Sequence, residues 1–298
     1  MEEKIIEKIV ETPAKVLDMT VKASQEASKT IAQNKPVKKA KKYWEILGPG
    51  LTTGASDDDP SGIATYSQTG ARYGFQLLWL SAFTFPLMFA VQEMCARIGL
   101  VTGRGLAANI KKYFPKYILY IMAVLLFAAN SFNIGADLGA MAKATQLLVP
   151  KTNFVTLVIG YTAFCLFLEI FLEYKNYAKV LKWLALVLFS YVFSTLCISN
   201  LDWRQVWHSL AVPSLSFTKD QIILVCGILG TTISPYLFFW QTSQEIEEEI
   251  SNGQTTLKDR QLTNRRQIRE MRVDVGSGML LSNIAMFFII VACAGTLF

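Results

Sequence analysis

Seven long apolar stretches dominate the chain, at about residues 45–69, 75–101, 117–148, 153–174, 178–199, 219–248 and 273–298. Short polar segments bearing Lys and Arg separate them. Each stretch is long enough to cross the hydrocarbon of a bilayer, which takes about 20 residues at a helical rise of about 1.5 Å each. The apolar residues fill whole runs rather than a single stripe, so the helices they predict face lipid and one another, not water. The pattern therefore predicts an all-α polytopic membrane protein. Residues 1–42 stand apart. They are polar, with apolar positions such as Ile5, Ile6, Ile9, Val10, Val16 and Leu17, an interruption at Pro13, and a basic cluster from Lys35 to Lys42. They predict a cytoplasmic N-terminal extension, either a weakly ordered tail or a helix lying on the membrane surface. A transmembrane domain over 43–298 follows it.

Composition agrees. Of the 298 residues, 52% are hydrophobic and 17% charged, against about a quarter charged in soluble domains. A net charge of +6 would point to nucleic acid in a soluble chain; here the basic residues gather at span ends and report topology instead. With the N-terminus inside, nineteen Lys and Arg near the span ends fall on the cytoplasmic side and five outside. That asymmetry predicts a cell-membrane protein with a cytoplasmic N-terminus, its partner the lipid bilayer and not nucleic acid. The cysteines Cys95, Cys165, Cys197, Cys226 and Cys293 lie in or beside apolar runs and read as small buried hydrophobes.

The first and sixth stretches are irregular. The first carries Gly48-Pro49-Gly50 and then Ser56-Asp57-Asp58-Asp59-Pro60-Ser61-Gly62; the sixth carries Gly227-Ile228-Leu229-Gly230-Thr231-Thr232-Ile233-Ser234-Pro235. In lipid every backbone N–H and C=O needs a partner, so a broken helix persists only where protein or a water-filled cavity receives the freed groups. Two breaks at matching positions of two repeats point to a transporter's site. Pro60 and Pro235 mark the breaks, five spans apart.

Three aspartates sit at the first break. An ionised carboxylate near mid-bilayer costs at least about 2.5–3.5 kcal/mol on insertion scales, so it is rare and usually functional. A divalent cation would remove both that cost and the mutual repulsion, and carboxylates with carbonyls and water suit a hard ion such as Mg²⁺ or Mn²⁺. Asp57 and Asp58 either attend the ion or serve the scaffold, capping the second half-helix or standing in an aqueous vestibule. Asp59, directly before the proline, is read as the ion's ligand.

Gly48-Pro49-Gly50 through Asp59-Pro60, then Ala64-Thr65, Tyr73-Gly74, Leu77-Leu78-Trp79 and the run Ala96-Arg97-Ile98-Gly99-Leu100-Val101-Thr102-Gly103, resemble the NRAMP family of divalent metal transporters. The resemblance implies a broken-helix, five-plus-five inverted-repeat (APC/LeuT-like) transporter fold, present through the seventh helix. Residues 45–199 would form the first repeat and 219–298 the start of the second. It also implies alternating access for a metal held between helices one and six, a transporter rather than an enzyme, and no cofactor beyond the transported ion. The family's first-helix motif Asp-Pro-Gly-Asn reads Asp59-Pro60-Ser61-Gly62 here, and its sixth-helix Met-Pro-His reads Ser234-Pro235-Tyr236; a second family His falls on Gln241. The implied metal set is Asp59, Gly62, Thr231 and Ser234, with Asp57, Asp58, Asp137, Tyr236 and Gln241 along the pathway.

The departures have chemical content. A thioether favours softer metals, whereas the Ser234 hydroxyl is a hard ligand or a holder of water. Gly62 removes a side-chain oxygen and opens space. A roomier, harder site suits a partly hydrated Mg²⁺, as in the divergent NRAMP-related magnesium transporters, with Mn²⁺ or Fe²⁺ as competitors. Tyr236 and Gln241 do not titrate near neutral pH, and Ile134 replaces a family acid, so proton coupling is expected to be weak or absent. Asp137 lies between Gly135 and Gly139, a spacing that reads as close helix packing; its carboxylate is either a helper on the route or a local hydrogen-bond partner. Glu93 and Arg97 read as an i,i+4 ion pair, and His208, beside Trp203 and Trp207, as interfacial.

Two other readings compete. Asp59 and Asp137 could form an intramembrane aspartyl-protease pair, although Gly135-Ala136-Asp137 does not supply that class's context and two proline breaks go unexplained. A channel-like conduit or a non-transporting metal sensor of the same fold is the other. Because two five-helix repeats need more than seven helices, the chain is expected to belong to a longer protein with roughly three to five further spans.

Overall fold

The computed structural model describes residues 42–44, 46–172, 180–199 and 201–298. The chain divides into two units, Met1–Ile46 and Leu47–Phe298. In the first, residues 42–44 and 46 are helical. The second runs α1 (Pro49–Asp57), α2 (Pro60–Tyr73), α3 (Trp79–Thr102), α4 (Leu106–Tyr113), α5 (Lys116–Leu148), α6 (Phe154–Phe171), α7 (Val180–Leu196), α8 (Trp203–Ala211), α9 (Lys219–Thr232), α10 (Pro235–Ser251), α11 (Leu257–Arg260) and α12 (Arg265–Leu297). There is no strand among the described residues.

The seven apolar stretches become α1–α2, α3, α5, α6, α7, α9–α10 and α12; α4, α8 and α11 occupy connections. Among the described residues α3, α5, α6, the α9–α10 segment and α12 are long and apolar enough to cross a membrane. One boundary differs from the hydrophobic pattern, and one helix changes its winding internally. Helix α12 begins about two turns earlier than residue 273, because Asn264 and Gln267 form a reciprocal capping box that starts the helix in polar sequence. Helix α7 tightens into a 3-10 segment at Ala185–Leu188. The N-terminal extension expected over 1–42 lies outside the described residues except Lys42.

Helix α12 is the hub, burying fourteen of its 33 residues. The two halves of the first span lie directly on it, backbone to backbone. A methyl placed on Gly54 would stand 2.2 Å from the Gly278 carbonyl, one on Gly278 2.0 Å from the Gly50 carbonyl oxygen, and one on Gly70 2.4 Å from the Ile290 carbonyl oxygen. Small residues permit such close crossings where lipid supplies no hydrophobic drive. A carboxylate completes the contact at the start of α1, where Gly48 has no side chain with which to cap. Asp274 Oδ1 accepts from Gly48 N (2.8 Å) and Leu51 N (3.0 Å), and Oδ2 accepts from Gly50 N (2.7 Å). Three otherwise orphaned N–H groups are thereby paired inside the protein. Around this frame pack Tyr66, Leu77, Leu78, Leu80, Ile228, Met286 and Ile290 on one side. Met88, Ala96, Met271, Val275 and Met279 pack on the other.

Helices α5 and α6 are peripheral: only Ala142 is buried on α5 and no residue on α6. The close packing expected at Gly135 and Gly139 is therefore absent among the described residues. Nothing lies within 4 Å of a methyl at Gly135, and only Phe154 reaches 4.0 Å at Gly139. Of the cysteines only Cys95 is buried; Cys165, Cys197 and Cys226 are exposed, because the helices carrying them turn those faces outward. The Glu93–Arg97 pair forms as expected and gains Arg272, whose Nε donates to Glu93 Oε1 at 2.9 Å.

Candidate metal site at the paired helix breaks

Both breaks form where the prolines stand. Helix α1 ends at Asp57, Asp58 leaves helical geometry (φ −84°, ψ 53°), and extended Asp59 (φ −73°, ψ 170°) leads into α2 at Pro60. Helix α9 ends at Thr232, and extended Ser234 (φ −87°, ψ 126°) leads into α10 at Pro235. Proline suits the first position of a helix because its missing N–H would have had no partner there. The breaks face each other. The Tyr236 hydroxyl donates to Asp59 Oδ2 at 3.0 Å, and the Tyr66 and Thr232 hydroxyls meet at 3.3 Å.

Asp59 is fully partnered by the protein. Its Oδ1 accepts from Gly62 N (2.8 Å) and Ser61 Oγ (2.6 Å), while Oδ2 accepts from Asn133 Nδ2 (2.8 Å) and Tyr236. Asp59, not Asp57 or Asp58, thus caps the second half-helix. The reason is geometric: the N-cap position precedes the proline, and its carboxylate reaches the Gly62 N–H three residues on. Asp57 and Asp58 do not stand in an open vestibule, being 0% and 6% exposed. Ser282 Oγ donates to Asp57 Oδ2 at 2.9 Å, but Asp57 Oδ1 and both Asp58 oxygens have no hydrogen-bond partner.

The second break supplies neutral oxygens. Ser234 Oγ directs its proton to Gly230 O (2.9 Å) or Thr231 O (2.7 Å), and Thr231 Oγ1 directs its own to Gly227 O or Ile228 O (both 3.1 Å). With their protons turned onto their own helix, both hydroxyls keep lone pairs free to accept, the state a cation requires. Gly62 opens less room than its sequence context implies: a methyl there would already lie 3.2 Å from the Asp57 carbonyl oxygen. Among the described residues no three Asp, Glu, His or Cys side chains converge as a metal cluster. A cation here would share one or two carboxylates with hydroxyls, carbonyls and water, which hard ions accept.

Over residues 50–298 the sequence matches the family described as natural resistance-associated macrophage protein-like, Nramp. The chain belongs to the Nramp family. It is 29% identical over 231 residues to the divalent metal cation transporter MntH of Erwinia tasmaniensis, covering 74% of this chain and 52% of that protein. Its fold matches the manganese transporter of Eremococcus coleocola, solved with an aromatic bis-isothiourea-substituted compound (TM-score 0.68, 20% identity, 85% of this chain and 52% of the other). A mutant of the same transporter matches at TM-score 0.69 and 19% identity, over 86% of this chain and 52% of the other. The Nramp chain thus spans about half the length of these relatives. Its fold is the all-helical, LeuT-like one, and it is a multi-pass membrane protein.

Within this Nramp chain the sixth-helix positions part company. Tyr236 lies at the break, whereas Gln241, about 7.5 Å further along α10 at a helical rise of about 1.5 Å per residue, donates from Nε2 to Glu245 Oε1 at 2.8 Å. Asp137, one turn after Asn133 on α5, interacts electrostatically with Asp59, and its Oδ1 is buried without a partner. Sequence reasoning missed Asn133, Ser282, Asp274, Glu245 and Glu249. Asn133 had a signal, a polar residue at i−4 from Asp137 in an apolar run. Glu245 and Glu249, both 5% exposed, had none, because Gln244-Glu245-Ile246-Glu247-Glu248-Glu249 reads as a solvated face.

Proposed function

We propose that this chain supplies the two broken helices of a secondary transporter that imports a divalent metal cation by alternating access, with Mg²⁺ favoured and Mn²⁺ or Fe²⁺ as competitors. The observation that carries the reading is the Asp59–Tyr236 hydrogen bond, which joins a carboxylate at one helix break to the first turn beyond the other. A cation replacing the protein donors around Asp59 would gain the Ser234 and Thr231 oxygens across the break. Family membership supports a divalent metal, and the relatives' names speak of divalent metal cations and manganese. The oxygen-only donor set favours Mg²⁺, because the sulfur that would bias the site toward softer ions is replaced by Ser234. In this reading residues 1–42 are a cytoplasmic extension of a cell-membrane protein, and 43–298 hold a first repeat (45–199) and the start of a second (219–298). The Lys and Arg asymmetry supports that orientation.

Calorimetry on the purified protein in lipid nanodiscs tests the site. Wild type is expected to bind Mg²⁺ and Mn²⁺, and Asp59→Ala to lose that ion; undiminished affinity in the variant would remove the proposal. Uptake into membrane vesicles from the native source ranks Mg²⁺ against Mn²⁺. With Tyr236 and Gln241 in place of the family's histidines, a pH dye inside those vesicles should report no metal-driven acidification.

A further inference from the structure

We propose that Asp57 and Asp58 hold a second hard divalent cation, at a position separate from Asp59. The two places differ in which end of a helix they occupy. Asp59 lies at the N-terminus of α2, where the macrodipole is positive and N–H groups point outward. Asp57 and Asp58 lie at the C-terminus of α1, where the dipole is negative and an anion is disfavoured without compensation. Compensation by the protein is slight: of their four carboxylate oxygens, three have no donor, although the residues are 0% and 6% exposed. A buried ion left unpaired is among the costliest arrangements in a fold.

The surroundings are those of a cation site. The two carboxylates are adjacent in the chain, Ser282 donates to Asp57 Oδ2 at 2.9 Å, and the fully buried Tyr66 interacts electrostatically with both. The backbone adds acceptors rather than donors. Pro60 has no N–H to offer the Ser56 carbonyl, and the Gly62 N–H goes to Asp59 Oδ1 instead of the Asp58 carbonyl. Half-helix C-termini with unwound carbonyls are where this kind of fold can hold cations. Every ligand available is oxygen, and the two carboxyls, ionised as the cation binds, carry two negative charges, so a divalent hard ion neutralises the site and a monovalent one leaves a charge uncompensated. The ion pins the end of α1 to α12 through Ser282, independently of whether Asp59 takes the transported ion.

The test counts ions. Purified protein in lipid nanodiscs is saturated with Mn²⁺, and bound metal per chain is measured by elemental analysis and by electron paramagnetic resonance, with Mg²⁺ calorimetry in parallel. Two ions per wild-type chain are expected, one in the Asp57→Asn/Asp58→Asn double variant, and one in Asp59→Asn. Asp58→Glu, which keeps the charge, is expected to retain two ions with the weaker one bound about tenfold less tightly, and it stands in if the double variant fails to fold. A wild type that binds a single ion overturns the proposal, as does a double variant that still binds two or an Asp58→Glu with both affinities unchanged. Unaltered binding in Asp59→Asn, with one ion lost in the double variant, would instead sink the proposed function and leave this site standing.

Discussion

At the first break the chain leaves α1 through Asp57-Asp58 and enters α2 through Asp59-Pro60; at the second it passes from α9 to α10 through Ile233-Ser234-Pro235. Asp59 turns its carboxylate forward onto the helix it starts, whereas Ser234 turns its hydroxyl backward onto the helix that has ended. One break is therefore charged and capped. The other is neutral, and no side chain caps α10. Asp59 caps α2 through that helix's backbone and meets α10 through the Tyr236 side-chain hydroxyl, so one carboxylate ties the two breaks together while capping one helix. Proline makes both breaks, but the residue before it decides whether the break carries charge.

Removing the charge is the strongest way to break this comparison. Asp59→Ala should abolish binding of the ion at that site. It should also cost about 1 kcal/mol as a lost cap, with about 1–3 kcal/mol more for the donors it orphans. The protein should still fold, which size-exclusion chromatography and thermal unfolding would show beside the calorimetry. Asp274→Ala tests the other end of α1 by orphaning the Gly48, Gly50 and Leu51 N–H groups. A loss of about 3 kcal/mol is expected from such unsatisfied donors, read as a lowered unfolding midpoint. An unchanged midpoint would mean that α1 is held by its glycine crossing alone.

Smaller changes sharpen the contrast. Ser234→Met puts sulfur at the neutral break and should move preference from Mg²⁺ toward Mn²⁺ or Cd²⁺ by about tenfold, or about 1.4 kcal/mol. Unchanged selectivity in competition binding would place Ser234 away from the ion. Tyr236→Phe deletes only the hydrogen bond that joins the breaks. Its expected cost is about 1 kcal/mol, seen as a few-fold change in metal affinity with folding intact.

The apolar runs, the breaks and the clustering of aspartates at the first break were legible in the sequence because each rests on local physics. Long apolar runs need lipid, and proline cannot continue a backbone ladder. The roles within Asp57-Asp58-Asp59 were not legible, since neighbouring identical residues differ only in where the break points them. Nor was the seat of α1, which depends on Asp274 and Gly278 more than two hundred residues away. Gln241 shows what family likeness leaves open: the structure sets it two turns from the break and pairs it with Glu245.

By itself the sequence determined the solvent, the helices and the two places where helices fail, because hydropathy, chain length and proline chemistry act within a few residues. Only the tertiary structure decided which aspartate is saturated and which two are left open. That depends on which donors other helices bring: Asn133 from α5, Tyr236 from α10 and Ser282 from α12. A hydrogen bond is made across space within about 3 Å, a distance on which sequence separation is silent.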